Sequence, residues 1–152
     1  MKKLALLLAM AFLPSGWLAA EEVAITVHSL QGGSVGDSVG VIVARETSSG
    51  LVFEPHLNRL HRGMYEVTVH EHATCHGRYN DDGSIEPGAS AGNPIANLPI
   101  LELREGQTPQ AMVSRNMRLQ DIKNRSIMLS RLDEAAPMDA ISNKVACGAL
   151  EN

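Results

Sequence analysis

The densest set of side chains able to do chemistry is Val69-His70-Glu71-His72-Ala73-Thr74-Cys75-His76, with Asp81 and Asp82 close behind. Neutral imidazole is a common protein ligand for zinc and copper. His70, His72 and His76, helped by a carboxylate from Asp81 or Asp82, are therefore a candidate metal site. Residues two apart in a strand share a face, which would set Thr68, His70 and His72 side by side. The plainer reading is that His72 and His76 are solvent-facing loop residues. Met112, Met117 and Met128 could add soft ligands for Cu(I), although methionines on strands more often fill a core. His28, His56 and His61 lie in other segments, the last two in a loop expected after the third strand. Serine, histidine and aspartate are all present, but without a nucleophile motif. Gly32-Gly33 reads as a hairpin turn and not as a phosphate cradle, so neither a hydrolase nor a nucleotide site is expected.

The elements that must position these residues read as β-structure. Val23 to Val27 alternates apolar with small or polar side chains, Val39 to Val43 repeats the theme, and Gln31-Gly32-Gly33-Ser34 makes a turn between them. Ser48-Ser49-Gly50 is the next turn. A third strand begins at Leu51-Val52-Phe53, which Pro55 should end or push to an edge. Tyr65 to His70 is the fourth. From His76 to Asn93 the chain is rich in Gly, Asp, Asn and Ser, which predicts a long loop of the kind that is usually functional or disordered. Strands return at Leu98 to Leu103, Gln110 to Met117 and Ser126 to Leu129, with a short helical turn over Leu119 to Asn124. An irregular stretch, Asp133 to Asn143, leads to a last strand, Val145 to Leu150. Seven or eight short strands with little helix predict an antiparallel sandwich or flattened barrel.

Residues 1 to 20 read as a cleavable signal peptide. Lys2 and Lys3 precede an apolar run from Leu4 to Leu13, then Pro14-Ser15-Gly16 and Leu18-Ala19-Ala20. That run is too short to span a bilayer, and no cysteine at the cleavage point suggests a lipid anchor. A single domain, residues 21 to 152, is expected as the exported form. Of 13 basic residues the leader carries two, leaving 11 against 17 acidic and a net charge of about −6. That balance gives no reason to expect nucleic acid or an anionic membrane as partner. Two cysteines in an exported chain most simply form one bridge, Cys75 to Cys147, although a free reactive thiol at Cys75 beside His76 is a sharper alternative.

Several segments resemble the copper/zinc superoxide dismutases of the bacterial periplasmic type. Gly50-Leu51-Val52-Phe53-Glu54-Pro55-His56-Leu57 is similar to that family's G-L-x-F-x-P-x-L. Tyr65 to Glu71 occupies the place of H-G-F-H-x-H-E, with Cys75 at the bacterial spacing. Leu98-Pro99-Ile100-Leu101 resembles L-P-x-L, and Leu119-Gln120-Asp121-Ile122-Lys123 with Ser126-Ile127-Met128 resembles L-D-E-I-K and its following strand. Ala146-Cys147-Gly148 matches the closing A-C-G. The resemblance implies a Greek-key β-barrel, with the disulfide tying the loop after His70 to the terminal strand.

The departures from that family fall on its metal ligands. Of its H-x-H pair of copper ligands the second is His70, and the first position is Thr68. A later copper-ligand histidine is matched by Ser130. Asn93 lies near an expected histidine, Pro94 and Asn97 stand for a histidine and an aspartate, and Lys144 replaces an arginine that attracts the anionic substrate. Hydroxyls are weak substitutes for imidazole at copper, and proline has no donor for zinc. The favoured reading is an exported dismutase-like barrel that has lost its metal site, has no expected cofactor, and acts as a non-catalytic binding or structural module. By analogy with the dismutase-like domain of eukaryotic copper chaperones, an unidentified protein partner or self-association is expected. Two alternatives are a periplasmic copper- or zinc-binding protein using His70, His72 and His76, and a dismutase with an unusual copper site.

Overall fold

The structure, a computed structural model, describes residues 20–132 and 143–151. The expected signal peptide, except for its last residue, and the irregular stretch from Asp133, except for Asn143, lie outside the described residues.

The alternation that marks strands in the sequence also sorts their two faces. In β1 (Glu22–Gln31), Ile25 and Val27 turn inward while Ala24 and Thr26 are exposed. A turn at Gly32-Gly33 leads into β2 (Ser34–Thr47), which contributes Val39, Ile42 and Ala44 to the core. From β3 (Gly50–Leu57) come Leu51 and Phe53, and from β4 (Gly63–His70) come Tyr65, Val67 and Val69. Then follow β5 (Arg78–Tyr79), β6 (Ile85–Glu86), β7 (Pro94–Asn97), β8 (Leu101–Leu103) and β9 (Met112–Ser114). The last two long strands are β10 (Arg125–Arg131) and β11 (Lys144–Leu150).

Nine of these strands form one antiparallel sheet in the order β7-β4-β10-β11-β1-β2-β3-β9, with β8 also paired to β4. The sheet curls into an open barrel around a single apolar cluster, as the Greek-key expectation requires. Consecutive strands β3 and β4 lie far apart in that order, as do β9 and β10, so both connections cross the barrel. The helical turn expected near Leu119 is present as a 3₁₀ turn, Leu119–Ile122, which buries Leu119 and Ile122 at the end of the core.

Several boundaries differ from expectation. Pro55 does not end β3; it pairs with Ile42, beyond Phe53 where β3 has lost its second neighbour β9, so its missing N–H costs no ladder bond on that side. His56 is consequently an exposed strand residue opposite Val41 and not part of a loop. The strand expected over Leu98 to Leu103 is interrupted: pairing to β4 starts earlier, at Pro94, runs as far as the Leu98 N–H, which donates to the Val67 carbonyl (2.9 Å), and resumes at Leu101. Only Met112–Ser114 of the stretch 110–117 is strand, because β3 offers it just Leu51, Val52 and Phe53 as partners. The loop from His76 to Asn93 is not featureless. It contains the β5–β6 ribbon and a 3₁₀ turn, Ala89–Ala91.

That loop explains the burial of β4 and β10. The first half of β4 alternates, but Val67, Thr68, Val69 and His70 are all buried, as are the five residues Ser126 to Ser130. One set faces the core; the other lies under the loop. Cys75, Ala91, Met128 and Cys147 form a second apolar cluster there, outside the barrel. The disulfide Cys75–Cys147 is formed, and among the described residues there is no free cysteine.

Candidate functional site

The outer face of β7, β4, β10 and β11 forms the floor of an open cleft of about 770 Å³. Register places its residues. Thr68 of β4 lies opposite Asn97 on one side and Met128 on the other, and His70 lies opposite Pro94 and Ser126. Two irregularities adjust the rim. An extra residue, Ile95, brings Pro94 level with His70, and an extra residue, Val145, brings Lys144 level with Ser130. Thr68, His70, His72, Asn93, Pro94, Asn97, Ser130 and Lys144 all line this one cleft. The positions that the resemblance assigns to lost ligands are therefore spatial neighbours.

His70 is the centre of the arrangement and is 4% exposed. Its Nδ1 lies 2.9 Å from the carbonyl oxygen of Gly92, and its Nε2 lies 2.8 Å from Oγ1 of Thr68. A carbonyl can only accept, so Nδ1 carries the proton. In the neutral ring the Nε2 lone pair then accepts the Thr68 hydroxyl proton. A metal-binding histidine uses one nitrogen on the metal and gives the other N–H to a carbonyl or carboxylate. Here the carbonyl contact exists, and the other nitrogen meets the Thr68 hydroxyl.

Gly92 can present that carbonyl because it sits at φ 80°, ψ −159°, a region closed to other residues. A Cβ there would lie 2.7 Å from Oε2 of Glu71. Around it the loop is stitched to the end of β4. Glu71 N–H donates to the carbonyl of Asn93 (3.2 Å), and His72 N–H donates to that of Ala91 (2.9 Å). The Glu71 carboxylate accepts from the backbone N–H of Asn93 (2.9 Å) and from its side-chain amide (3.2 Å). The backbone N–H of Asn93, more than the neighbouring charges of His72 and Arg125, holds the Glu71 carboxyl below its ordinary value.

Lys144 is engaged. Its ammonium donates to Glu86 at 3.2 Å, so the charge expected to attract an anion is partly neutralised by a carboxylate of the covering loop. Sequence reasoning missed Glu86 and Gly92. Glu86 is 58 residues from its partner and no local pattern links them. The Gly in Gly92-Asn93 was a legible turn signal, but its carbonyl contact was not. Glu66, which also lines the cleft, could have been found by extending the same-face count back from Thr68.

The expected three-histidine site is not assembled. His72 is exposed at the cleft rim, whereas His76 lines a different depression with His28 and Thr74. Asp81 and Asp82 lie in the exposed turn between β5 and β6. There Asp82 accepts from the hydroxyl and N–H of Ser84 (2.6 and 2.9 Å), which lowers its pKa. The methionines are no closer to serving as ligands: Met112 and Met117 belong to the barrel core and Met128 to the cluster beside the disulfide. His28 gives Nδ1 to the Gly36 carbonyl at 3.1 Å, and His61 offers its own carbonyl to the Tyr65 hydroxyl. Among the described residues no group of three His, Cys, Asp or Glu side chains is placed to hold a metal ion. Around the cleft the donors are the committed His70, the exposed His72, two hydroxyls, amides and the carboxylates of Glu66, Glu71 and Glu86, of which Glu71 is bonded to Asn93 and Glu86 to Lys144, and no three of the imidazoles and carboxylates converge. That arrangement does not fit copper, which needs several nitrogen donors in fixed positions, or zinc, which needs three or four imidazole, thiolate or carboxylate donors converging on one point.

No family model matches the chain. It is similar over almost its whole length to superoxide dismutase [Cu-Zn] 2 of Salmonella typhimurium, with 25% identity over 175 residues, 99% of this chain and 100% of that protein. The superoxide dismutase [Cu-Zn] of Escherichia coli strain K12 matches with the same identity and coverage. That of Pasteurella multocida is 24% identical over 156 residues, 86% of this chain and 83% of that protein. Among solved structures, the Cu/Zn superoxide dismutase from Brucella abortus superposes with a TM-score of 0.73 at 23% identity, covering 86% of this chain and 100% of that one. The monomeric copper, zinc superoxide dismutase from Salmonella enterica gives 0.72 at 22% identity, covering 85% and 99%. Over nearly its whole length the chain is thus similar in sequence, and in fold, to copper/zinc superoxide dismutases, as the segment resemblances implied.

Proposed function

We propose that this chain is exported to the periplasm by residues 1 to 20, and that residues 21 to 152 are a dismutase barrel that has given up copper and zinc chemistry. It serves as a non-catalytic binding or structural module. The observation that carries this reading is the hydrogen bond from Thr68 to Nε2 of His70, which commits the lone pair a metal would need. Support also comes from the rest of the cleft. Ser130, Asn97 and Pro94 offer a hydroxyl, an amide and no donor where a redox copper or a zinc ion needs imidazole or carboxylate. Lys144 keeps a positive charge, but paired to Glu86 it has no redox centre to serve.

The alternative of a metal-binding protein using His70, His72 and His76 is weaker, since His76 lines another depression and His70 is committed. An unusual working copper site lacks the same donors. The test is superoxide consumption by chain 21–152 refolded with copper and zinc, then freed of loose metal. Consumption no faster than in buffer is expected. Rapid, stoichiometric dismutation would overturn the proposal. The binding role is tested separately by cross-linking in periplasm: a specific protein adduct or a self-adduct is expected, and neither appearing would count against it.

A further inference from the structure

A loop of some twenty residues lies over the outer face of β4 and β10, and something must hold it there. At one end the disulfide does so, with Ala91 packed against Cys75, Met128 and Cys147. At the other end β7 pairs with β4 for only a few residues. Between them the contacts converge on His70, whose two nitrogens join β4's own Thr68 to the loop's Gly92 carbonyl at 2.8 and 2.9 Å.

We infer that Thr68 is a positioning residue: it replaces a metal ion at Nε2, and so fixes His70 as a metal-independent clamp on residues 88–97. The inference rests on the reading that the cleft holds no metal, and goes beyond it by assigning the cleft's polar centre a present use.

The chemistry favours a clamp over a relic. A buried imidazole with an unpaired nitrogen is costly, and its ring would be free to rotate about χ2 to find a partner. With the Thr68 hydroxyl on Nε2, the Nδ1 proton is fixed on the opposite side of the ring, facing Gly92. The tautomer and the ring plane are thereby set by one hydroxyl. Gly92 answers with the backbone conformation that turns its carbonyl toward the ring, which no residue with a Cβ adopts easily beside Glu71. The flanking bonds act in the same direction: His72 N–H to the Ala91 carbonyl, and Asn93 N–H to the Glu71 carboxylate. Arg125 adds a guanidinium bond to the Glu71 carbonyl from β10.

The test is amide hydrogen exchange of chain 21–152 at Gly92 and Asn93, whose N–H groups bond to Ala89 and Glu71. Thr68→Val keeps the shape and removes the hydroxyl; Thr68→Ser keeps the hydroxyl. Exchange on the order of tenfold faster in Thr68→Val, with Thr68→Ser near the parent, is expected from leaving Nε2 buried and unpaired. In ¹⁵N spectra of the parent, His70 should show Nδ1 protonated and Nε2 bare, and Thr68→Val should disturb that tautomer. EDTA should change nothing. Equal exchange in all three proteins would overturn the clamp while leaving the metal-free reading intact. Faster exchange of the parent on adding EDTA would instead overturn the metal-free reading. A Thr68→Val chain with parental far-UV circular dichroism and melting cooperativity confirms that the comparison is made between folded proteins.

Discussion

Replacing both Cys75 and Cys147 by alanine should cost the domain about 4 kcal/mol, on the chain-entropy account of a cross-link. The bridge joins residues 72 apart, so its removal returns the closure entropy of a loop more than half as long as the domain to the unfolded chain. Its place in the fold argues that the native state bears little of the change. Cys147 lies in the middle of β11, hydrogen-bonded to β10 on one side and β1 on the other, and is fully buried. Cys75 follows the end of β4 and is also buried, beside Ala91 and Met128. Barrel pairing does not depend on the sulfurs. For a domain of this size, with an unfolding entropy of about 2 cal/mol/K per residue, the loss corresponds to a melting temperature lower by roughly 15 °C. Urea unfolding at constant pH gives the free energy directly, and the slope should rise as the unfolded chain becomes more expanded. Reduction of the parent by dithiothreitol should reproduce the variant. A double variant within about 1 kcal/mol of the parent would refute the reasoning, because it would mean the unfolded chain is already restrained or the native bridge strained.

Further outcomes follow from single contacts. Phe53→Ala removes a fully buried ring paired with Ala44 and Met112 and should cost about 3–5 kcal/mol in urea denaturation. Gly92→Ala should cost more than about 1 kcal/mol and speed amide exchange at Asn93, because its backbone conformation and the nearby Glu71 carboxylate both oppose a Cβ. Glu71 has a folded-state pKa below its ordinary 4.5, so its contribution is present above that pH and is lost as pH falls through the lower folded value. Amide exchange at Asn93 should therefore accelerate on acidification below about pH 4.5, and Glu71→Gln should flatten that dependence.

Much of the barrel was legible because its long strands bury one face, and alternation betrays one face at a time. β1, β4 and the run Ser126 to Leu129 stand near where the pattern puts them. The pattern fails where both faces are covered or pairing is very short. A two-residue ribbon such as β5–β6 has no period to read, and Met112–Ser114 is strand only as far as β3 extends beside it. The site was half legible. Thr68 and His70 share a face by spacing alone, and the resemblance added Asn97, Ser130 and Lys144, which the register of β7, β10 and β11 brings beside them. His76 defeats counting because the strand ends at His70 and the chain turns toward the disulfide. Nothing in the sequence ties Glu86 to Lys144 or the Gly92 carbonyl to His70, since both contacts exist only once the loop is folded over the sheet.

The central claim is that the cleft beside His70 no longer holds a metal. It is tested most directly by elemental analysis of the protein purified from copper- and zinc-supplemented cells without chelators. Far less than one copper and one zinc per chain is predicted, unchanged in His70→Ala. One equivalent of either metal that is lost in His70→Ala would contradict it.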